Sequence, residues 1–436
     1  MPRRVVITGQ GLVSPLGNSP EQLWDALIGG RSGVGPLISV PGDVLPTHYG
    51  AEARDFTGAI EDFGPLEKTF ARNIKKSLKM MCREIQMGVA VAQLAMGDAG
   101  LKLSQIDLDR IGVLYGSDHM LTLPHEFTVG IRNCLDAEGK FHFSRWAEAG
   151  LPAVEPLWLL KYLPNLPAAH IAIFNDLHGP NNSLTVREAS ANQAIAEAYC
   201  TIERGHADLM IAGATGTRVH PGRTLHVVLQ EQIAKDASDP STMSRPFDKS
   251  RTGQVIGEGA AAIILEELAH AQKRGARILG EVIGFGSSSV SSLRGIGDLY
   301  QSARNALLQA LRTSRQMPGD VGHFNAHGLA TTRSDQDEAR AIHDVFSQRT
   351  RPLPVVACKS YFGNLGAGGG VVELIASVQA LNHNRLFRTL NYQTPDPECP
   401  VHVVSRDDQT PGDSFINLNL TPQGQASAIV VRKFAA

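Results

Sequence analysis

The sequence predicts a layered α/β fold built from two similar halves. Three observations carry this: short β-branched runs alternate with long helical patterns, one stretch has the order strand, helix, strand, and the whole pattern restarts past the middle of the chain. Val5 to Thr8 reads as the first strand, and helical spacing begins at about Glu21. A second helical pattern runs from about Lys79 to Ala99 and leads into the strand Arg110 to Leu114. Ser183 to Val186 is strand-like, the alanine-rich Ala189 to Arg204 is helical, and Asp208 to Ala212 is a strand that Gly213 is expected to close with a turn. Strand, helix, strand in that order implies a parallel crossover. Beyond PFDKSRTGQVIGEG the grammar begins again, with apolar Ala260 to Leu265, strand-like Ile278 to Phe285 and helical Tyr300 to Thr313. The expected division is 1–255 and 256–436. Residues 118–169 carry prolines and aromatics without a clean period, and read as an insertion packing over the core or a partner.

With 436 residues, 42% apolar and 19% charged, the chain can bury one large core or two fused ones. A net charge of −2, with basic residues spread along the chain, gives no electrostatic footprint for nucleic acid or anionic lipid, and neither partner is expected. MPRRVVITGQGLVSPLG is interrupted by polar residues and glycines too early for a signal peptide. No window approaches about eighteen uninterrupted apolar residues. A cytoplasmic protein without a membrane span is expected. The five cysteines, Cys82, Cys134, Cys200, Cys358 and Cys399, form no C-x-x-C pair. That suits a reducing compartment and buried, inert thiols, and neither a zinc site nor a disulfide framework.

Four stretches carry a resemblance that spans nearly the whole chain: VVITGQGLVSPLG at the start, RIGVLYGSD at 110–118, HADLMIAGAT at 206–215, and PFDKSRTGQVIGEGAAAIILEELAHAQKRGA at 246–276. Together they resemble β-ketoacyl-acyl-carrier-protein synthases of the elongating type. The resemblance implies a duplicated thiolase-like core, five layers of helix and sheet in an αβαβα arrangement, dimeric through strands edge to edge, and no cofactor.

In that family a cysteine at the N-terminus of a buried helix takes the acyl chain as a thioester, its pKa lowered by the helix dipole and backbone N–H groups. In GPNNSLTVREASANQAIAEAYC the matching position is Glu188, and Cys200 lies three turns further on. A carboxylate cannot form that thioester, so self-condensation is not expected. Two family histidines stabilise the enolate that decarboxylation of a malonyl thioester produces. His327 in FNAHGLATTRSDQDEA matches the first, with Asp335 and Glu338 on the motif's acidic positions. CKSYFGNLGAGGG at 358–370 matches the second histidine's segment, keeps Lys359, and places Asn364 where the histidine belongs. Asparagine donates a hydrogen bond but carries no proton. Structural readings stand beside these roles: His327 as a satisfied core histidine, Lys359 with Glu338 as a buried ion pair, and Glu188 with His327 as an ion pair plugging the pocket.

Thr331, Leu329, Phe362 and Pro422 are expected to line the pantetheine and acyl pocket. Leu329 replaces a threonine, and Pro422 in TPQGQA at 421–426 falls on the aromatic of the family's GFGGTN turn, where proline supplies no N–H. These departures are similar to those of chain length factors, nucleophile-less relatives that pair with an active ketosynthase. The sequence reading is therefore a non-condensing heterodimer partner of a catalytic ketosynthase, working with an acyl carrier protein in fatty acid, polyketide or polyene biosynthesis. The alternatives are a malonyl decarboxylase or loading ketosynthase, an atypical 3-oxoacyl synthase, and a homodimer in place of the heterodimer.

Overall fold

The computed structural model describes residues 3–40, 45 and 47–435. Eleven strands form one hydrogen-bonded array: β1 (Val5–Val13), β2 (Ile111–Ser117), β3 (Asn181–Leu184), β4 (Leu209–Thr217), β5 (Glu258–Glu267), β6 (Gly280–Ser289), β7 (His323–Asn325), β8 (Pro354–Val356), β9 (His402–Val403), β10 (Ser414–Leu420) and β11 (Gln425–Arg432). Their order is β9-β8-β7-β10-β11-β6-β1-β5-β4-β2-β3. The array is two five-stranded units of identical pattern. In the first, β1 pairs antiparallel with β5, β5 antiparallel with β4, and β4, β2 and β3 run parallel. In the second, β6 pairs antiparallel with β11, β11 antiparallel with β10, and β10, β7 and β8 run parallel. Val5 to Ile7 against Gly280 to Val282 joins the units, and β9 extends the second at its edge. Because β5 completes the first unit, the repeat restarts at β6, some way beyond residue 255.

Among the described residues, nine helices of ten residues or more dress these sheets: α1 (Pro20–Gly29), α2 (Lys68–Ser77), α3 (Arg83–Asp98), α4 (Leu166–Asn175), α5 (Ser190–Glu203), α6 (Pro221–Gln230), α7 (Leu299–Ser314), α8 (Thr332–Phe346) and α9 (Gly369–His383). Helices α5 and α9 lie between the two sheets, touching β4 and β11 in one case and β5 and β10 in the other. Helix α3 covers the outer face of the first sheet, and α7, backed by α8, that of the second. Five layers result. The central layer explains the glycines of GAGGG at 366–370: a Cβ on Gly370 would collide with Asn419 and Ala191, and one on Gly368 with the carbonyl of Gly259. No helix of the described residues is long and apolar enough to cross a membrane.

Local signals fix most boundaries. Ser19 caps α1 by accepting from the Gln22 N–H at 3.2 Å, with Pro20 in the first turn. Three expectations shift. The helix expected from Lys79 begins at Arg83, after a 3₁₀ turn over Leu78–Met80. The strand read as Ser183 to Val186 is Asn181–Leu184. Gly213 closes nothing: β4 runs through it to Thr217, and the glycine is needed because the Tyr115 ring and the Ala261 carbonyl occupy the space of a side chain. The 118–169 segment consists of 3₁₀ turns, one short helix (Thr128–Asn133) and a π turn (Trp146–Gly150), and it leads into α4 beside β3. It leaves Val129, Phe143, Leu151 and Leu157 exposed.

Candidate active site

The ends of both units converge on one buried polar constellation. Glu188 lies in the 3₁₀ turn Arg187–Ala189 that feeds α5. Arg187 stands at φ 51°, in the left-handed region that a residue with a side chain rarely adopts. Ser190 Oγ locks the turn, accepting from the Val186 N–H at 2.7 Å and donating to the Ser117 carbonyl at 3.3 Å. The helix N-terminus thus carries a carboxylate, which suits the positive end of its dipole.

The Glu188 side chain is 2% exposed and its partners are cationic. Oε1 accepts from Arg218 Nη2 and from Asn364 Nδ2, the latter at 3.0 Å. Arg187 Nε stands 3.3 Å from Oε2, an ionic contact in which neither atom completes a hydrogen bond. Arg218 and Arg223 each also face Asp118 at 3.8 Å, and Asp118 Oδ2 accepts from the Ala367 N–H at 3.0 Å. Burial by itself would push the Glu188 carboxyl up, but the guanidinium groups of Arg187 and Arg218 outweigh it and hold Glu188 well below the usual carboxylate range. The group is a buried, paired anion.

A closed circuit of side chains runs through it. Arg187 Nη2 donates to Glu231 Oε1 at 2.5 Å, Gln254 Nε2 to Glu231 Oε2 at 2.6 Å, and Asn364 Nδ2 to Gln254 Oε1 at 2.8 Å as well as to Glu188. Asn364 is held by its backbone, which bonds on both sides to the Val255–Gly257 stretch.

His327 follows β7 and lies on the other side of the same region. Glu338 on α8 accepts from the backbone N–H groups of His327 at 2.6 Å and Gly328 at 2.9 Å. Lys359 Nζ lies 3.2 Å from His327 Nδ1 and 2.5 Å from Glu373 Oε1. Glu373 Oε2 accepts in turn from Asn419 at 2.8 Å. Burial first, and then the Lys359 ammonium, pushes the His327 imidazolium well below the ordinary histidine range. The ring is neutral at pH 7. With the ammonium donating to Nδ1, the ring proton resides on Nε2, leaving an N–H donor. Burial raises Asp335 to about 6 and Glu338 to about 8, against the backbone N–H groups they accept.

A cavity of about 220 Å³ reaches this site. Glu231, His327, Leu329, Thr331, Thr421 and Pro422 are among its walls, whereas Glu188 and Asn364 are not. Pro422 sits in the β10–β11 turn closed by the Gly424 N–H on the Thr421 carbonyl at 3.0 Å.

Three sequence expectations change here. Lys359 pairs with Glu373 and not with Glu338, because Glu338 is spent on the backbone of His327 and Gly328. Glu188 forms its ion pairs with Arg187 and Arg218 and not with His327, which is uncharged. Phe362 is fully buried in the core and takes no part in the cavity wall. The constellation also contains groups that sequence reading passed over: Arg187, Arg218, Asp118, Glu231, Gln254 and Glu373. Glu373 had a legible signal, a lone acid in the apolar run VVELIASVQAL. Arg187 is the chain neighbour of Glu188, and Arg218, Asp118, Glu231 and Gln254 are brought to it by tertiary contacts.

All five cysteines are free, and all but Cys82 are buried. Cys200 is twelve residues along α5 from Glu188, roughly 18 Å by helical rise. Cys358 accepts a weak bond from Asn325 at 3.4 Å, and burial pushes its thiol up, away from the thiolate. Among the described residues no three His, Cys, Asp or Glu side chains are grouped to hold a metal ion.

Two five-stranded units of one topology, stacked about buried central helices whose loops share a polar site, define a thiolase-like protein. The family follows from comparison. Residues 2–271 match the Beta-ketoacyl synthase, N-terminal domain, and residues 279–393 the Beta-ketoacyl synthase, C-terminal domain, so the chain belongs to the β-ketoacyl synthase family. A 3-oxoacyl-[acyl-carrier-protein] synthase 2 of Coxiella burnetii is 32% identical over 92% of this chain and 91% of its own. One of Synechocystis is 30% identical over 92% and 91%. Among solved structures, a beta-ketoacyl synthase from Burkholderia phymatum is similar at TM-score 0.82 and 27% identity, covering 99% of this chain and 100% of that one. The ishigamide ketosynthase/chain length factor shares the fold at TM-score 0.85 and 24% identity over 100% of both chains.

Proposed function

We propose that this chain is a non-condensing member of the β-ketoacyl synthase family, a chain length factor-like subunit that pairs with a catalytic ketosynthase and works beside an acyl carrier protein in fatty acid, polyketide or polyene biosynthesis. The observation that carries this reading is the Glu188 carboxylate, ionised between Arg187 and Arg218 at the entrance of α5. A paired carboxylate is no nucleophile toward a thioester, and neither Cys200 nor Cys358 is placed or activated to replace one. Asn364 and Pro422 add to it: the first cannot move a proton, and the second offers no backbone donor.

Two surfaces support the partnership. The 118–169 segment leaves apolar side chains exposed for a second subunit to cover, and its last residues adjoin the edge strand β3, where Ser183 Oγ donates to the Pro164 carbonyl at 3.1 Å. Helix α2 presents exposed Lys68, Arg72, Lys75 and Lys76, which form no salt bridge among the described residues, a face suited to an acidic carrier protein.

The test is co-expression with a family ketosynthase that keeps its cysteine. A one-to-one complex is expected, and intact mass of the isolated chain after exposure to an acyl donor should stay unchanged. A stable homodimer that ignores the ketosynthase, or an acyl adduct on this chain, overturns the reading. A second reading, decarboxylation of malonyl thioesters, has one observation in its favour, the Nε2–H of a neutral His327 in the cavity wall. The ionised Glu188 opposes it, since it repels both the malonyl carboxylate and the developing enolate. Acetyl-carrier protein formed by the isolated chain from malonyl-carrier protein would reverse that order.

A further inference from the structure

The circuit Arg187–Glu231–Gln254–Asn364–Glu188 lies between a cavity and the buried start of α5. On one side is the cavity, which has Glu231 and His327 in its wall. On the other is the entrance of α5, where the family's acyl groups would have to reach. We propose that the ring is a latch that keeps acyl chains from reaching Glu188 at the start of α5, and that Arg187 is its movable member. An acyl thioester of pantetheine entering past Thr331 and Leu329 would stop at the ring, its alkyl end outside.

Arg187 differs from the other four members in three respects. Its backbone is strained at φ 51°. Its side chain is 23% exposed, whereas that of Glu188 is 2%. Its link to Glu188 is the one joint of the circuit without a completed hydrogen bond, since Arg187 Nε and Glu188 Oε2 both lack a partner. The guanidinium also reaches a third wall, with Nη1 3.4 Å from Gln423 Oε1 in the turn beside Pro422. One side chain therefore ties the start of α5, the segment after α6 and the β10–β11 turn. An alkyl chain cannot pass between these groups without separating ionised partners inside the protein, so the closed ring excludes apolar ligands. The inference concerns the space open to an acyl group and holds with or without a partner subunit.

Arg187→Gly is the direct test, because glycine takes the left-handed backbone without strain and removes the guanidinium. Glu231→Gln breaks the same ring from its other end and serves if the first variant does not fold. Binding of butanoyl-, hexanoyl- and octanoyl-pantetheine to the whole chain is measured by calorimetry. In the unaltered protein, affinity should stay flat as the acyl chain lengthens. In the variants it should rise with each two carbons, with octanoyl-pantetheine bound at least tenfold more tightly than by the unaltered protein. Equal affinities in all three proteins, or a chain-length dependence in the unaltered protein as steep as in the variants, overturns the latch. A merely structural Arg187 would lower stability without producing that dependence.

Discussion

The Glu188 side and the His327 side of the site are built on opposite electrostatic plans. Around His327, charge is confined to its neighbours: Lys359 is neutralised by Glu373, and Glu338 is bound to backbone N–H groups, so the imidazole stays uncharged with its donor free. Around Glu188, the central residue is itself the ion, and two guanidiniums and an amide close over it. The first arrangement leaves a group available to a ligand. The second occupies its own space. Within one buried polar constellation, then, one side holds a neutral ring with a donor to spare and the other an anion enclosed by cations.

Four measurements break or sharpen this contrast. The largest effect is expected for Glu188→Ala, which leaves Arg218 buried with Asp118 as its remaining acid at 3.8 Å. A loss of about 3–5 kcal/mol in chemical denaturation follows from stripping one partner of a buried pair. A loss below about 1 kcal/mol would show the Glu188 side to be as loosely held as a surface pair. Lys359→Met comes next, at about 3 kcal/mol, because Glu373 is left buried with Asn419 as its side-chain donor. It should also raise the His327 pKa, measurable by NMR titration, since the Lys359 ammonium is second only to burial among the causes that lower it.

A pH series gives the third effect. The folded pKa of Glu188 lies below its unfolded value near 4.3, so its stabilisation is complete above that value and is lost as pH falls through the folded pKa. Below about pH 4 the unaltered protein should lose up to about 1.4 kcal/mol per pH unit more than Glu188→Gln. Parallel curves would mean that Glu188 is not an anion in the folded state. The smallest effect belongs to Gln254→Ala, which removes two bonds from the ring and touches nothing around His327. About 1–2 kcal/mol is expected, with the His327 titration unmoved. A shifted His327 would show the two sides to be coupled.

Much of this protein was legible in one dimension. Strand and helix periodicity placed β1, β2, α5, β4, β5, β6 and α7 to within a few residues, because each buries a face whose spacing is written locally. One error falls where distant neighbours decide, Gly213 continuing a strand with Tyr115 and Ala261 crowding it, and another is local, α3 starting late because a 3₁₀ turn precedes it. Glu188, His327 and Asn364, singled out from their motifs, fall in one buried constellation, and their roles are part of the proposed function.

What the sequence by itself determined is chemical identity: a carboxylate, one histidine and an asparagine on a duplicated α/β scaffold, with proline in the terminal turn. What only the tertiary structure decided is their state. Arg218, Glu231, Gln254 and Glu373 are separated from Glu188 and His327 by tens of residues, and charge interacts through space and burial, not through chain position. Hence the ionisation of Glu188, the neutrality of His327 and the choice of Glu373 as the partner of Lys359 follow from folding alone.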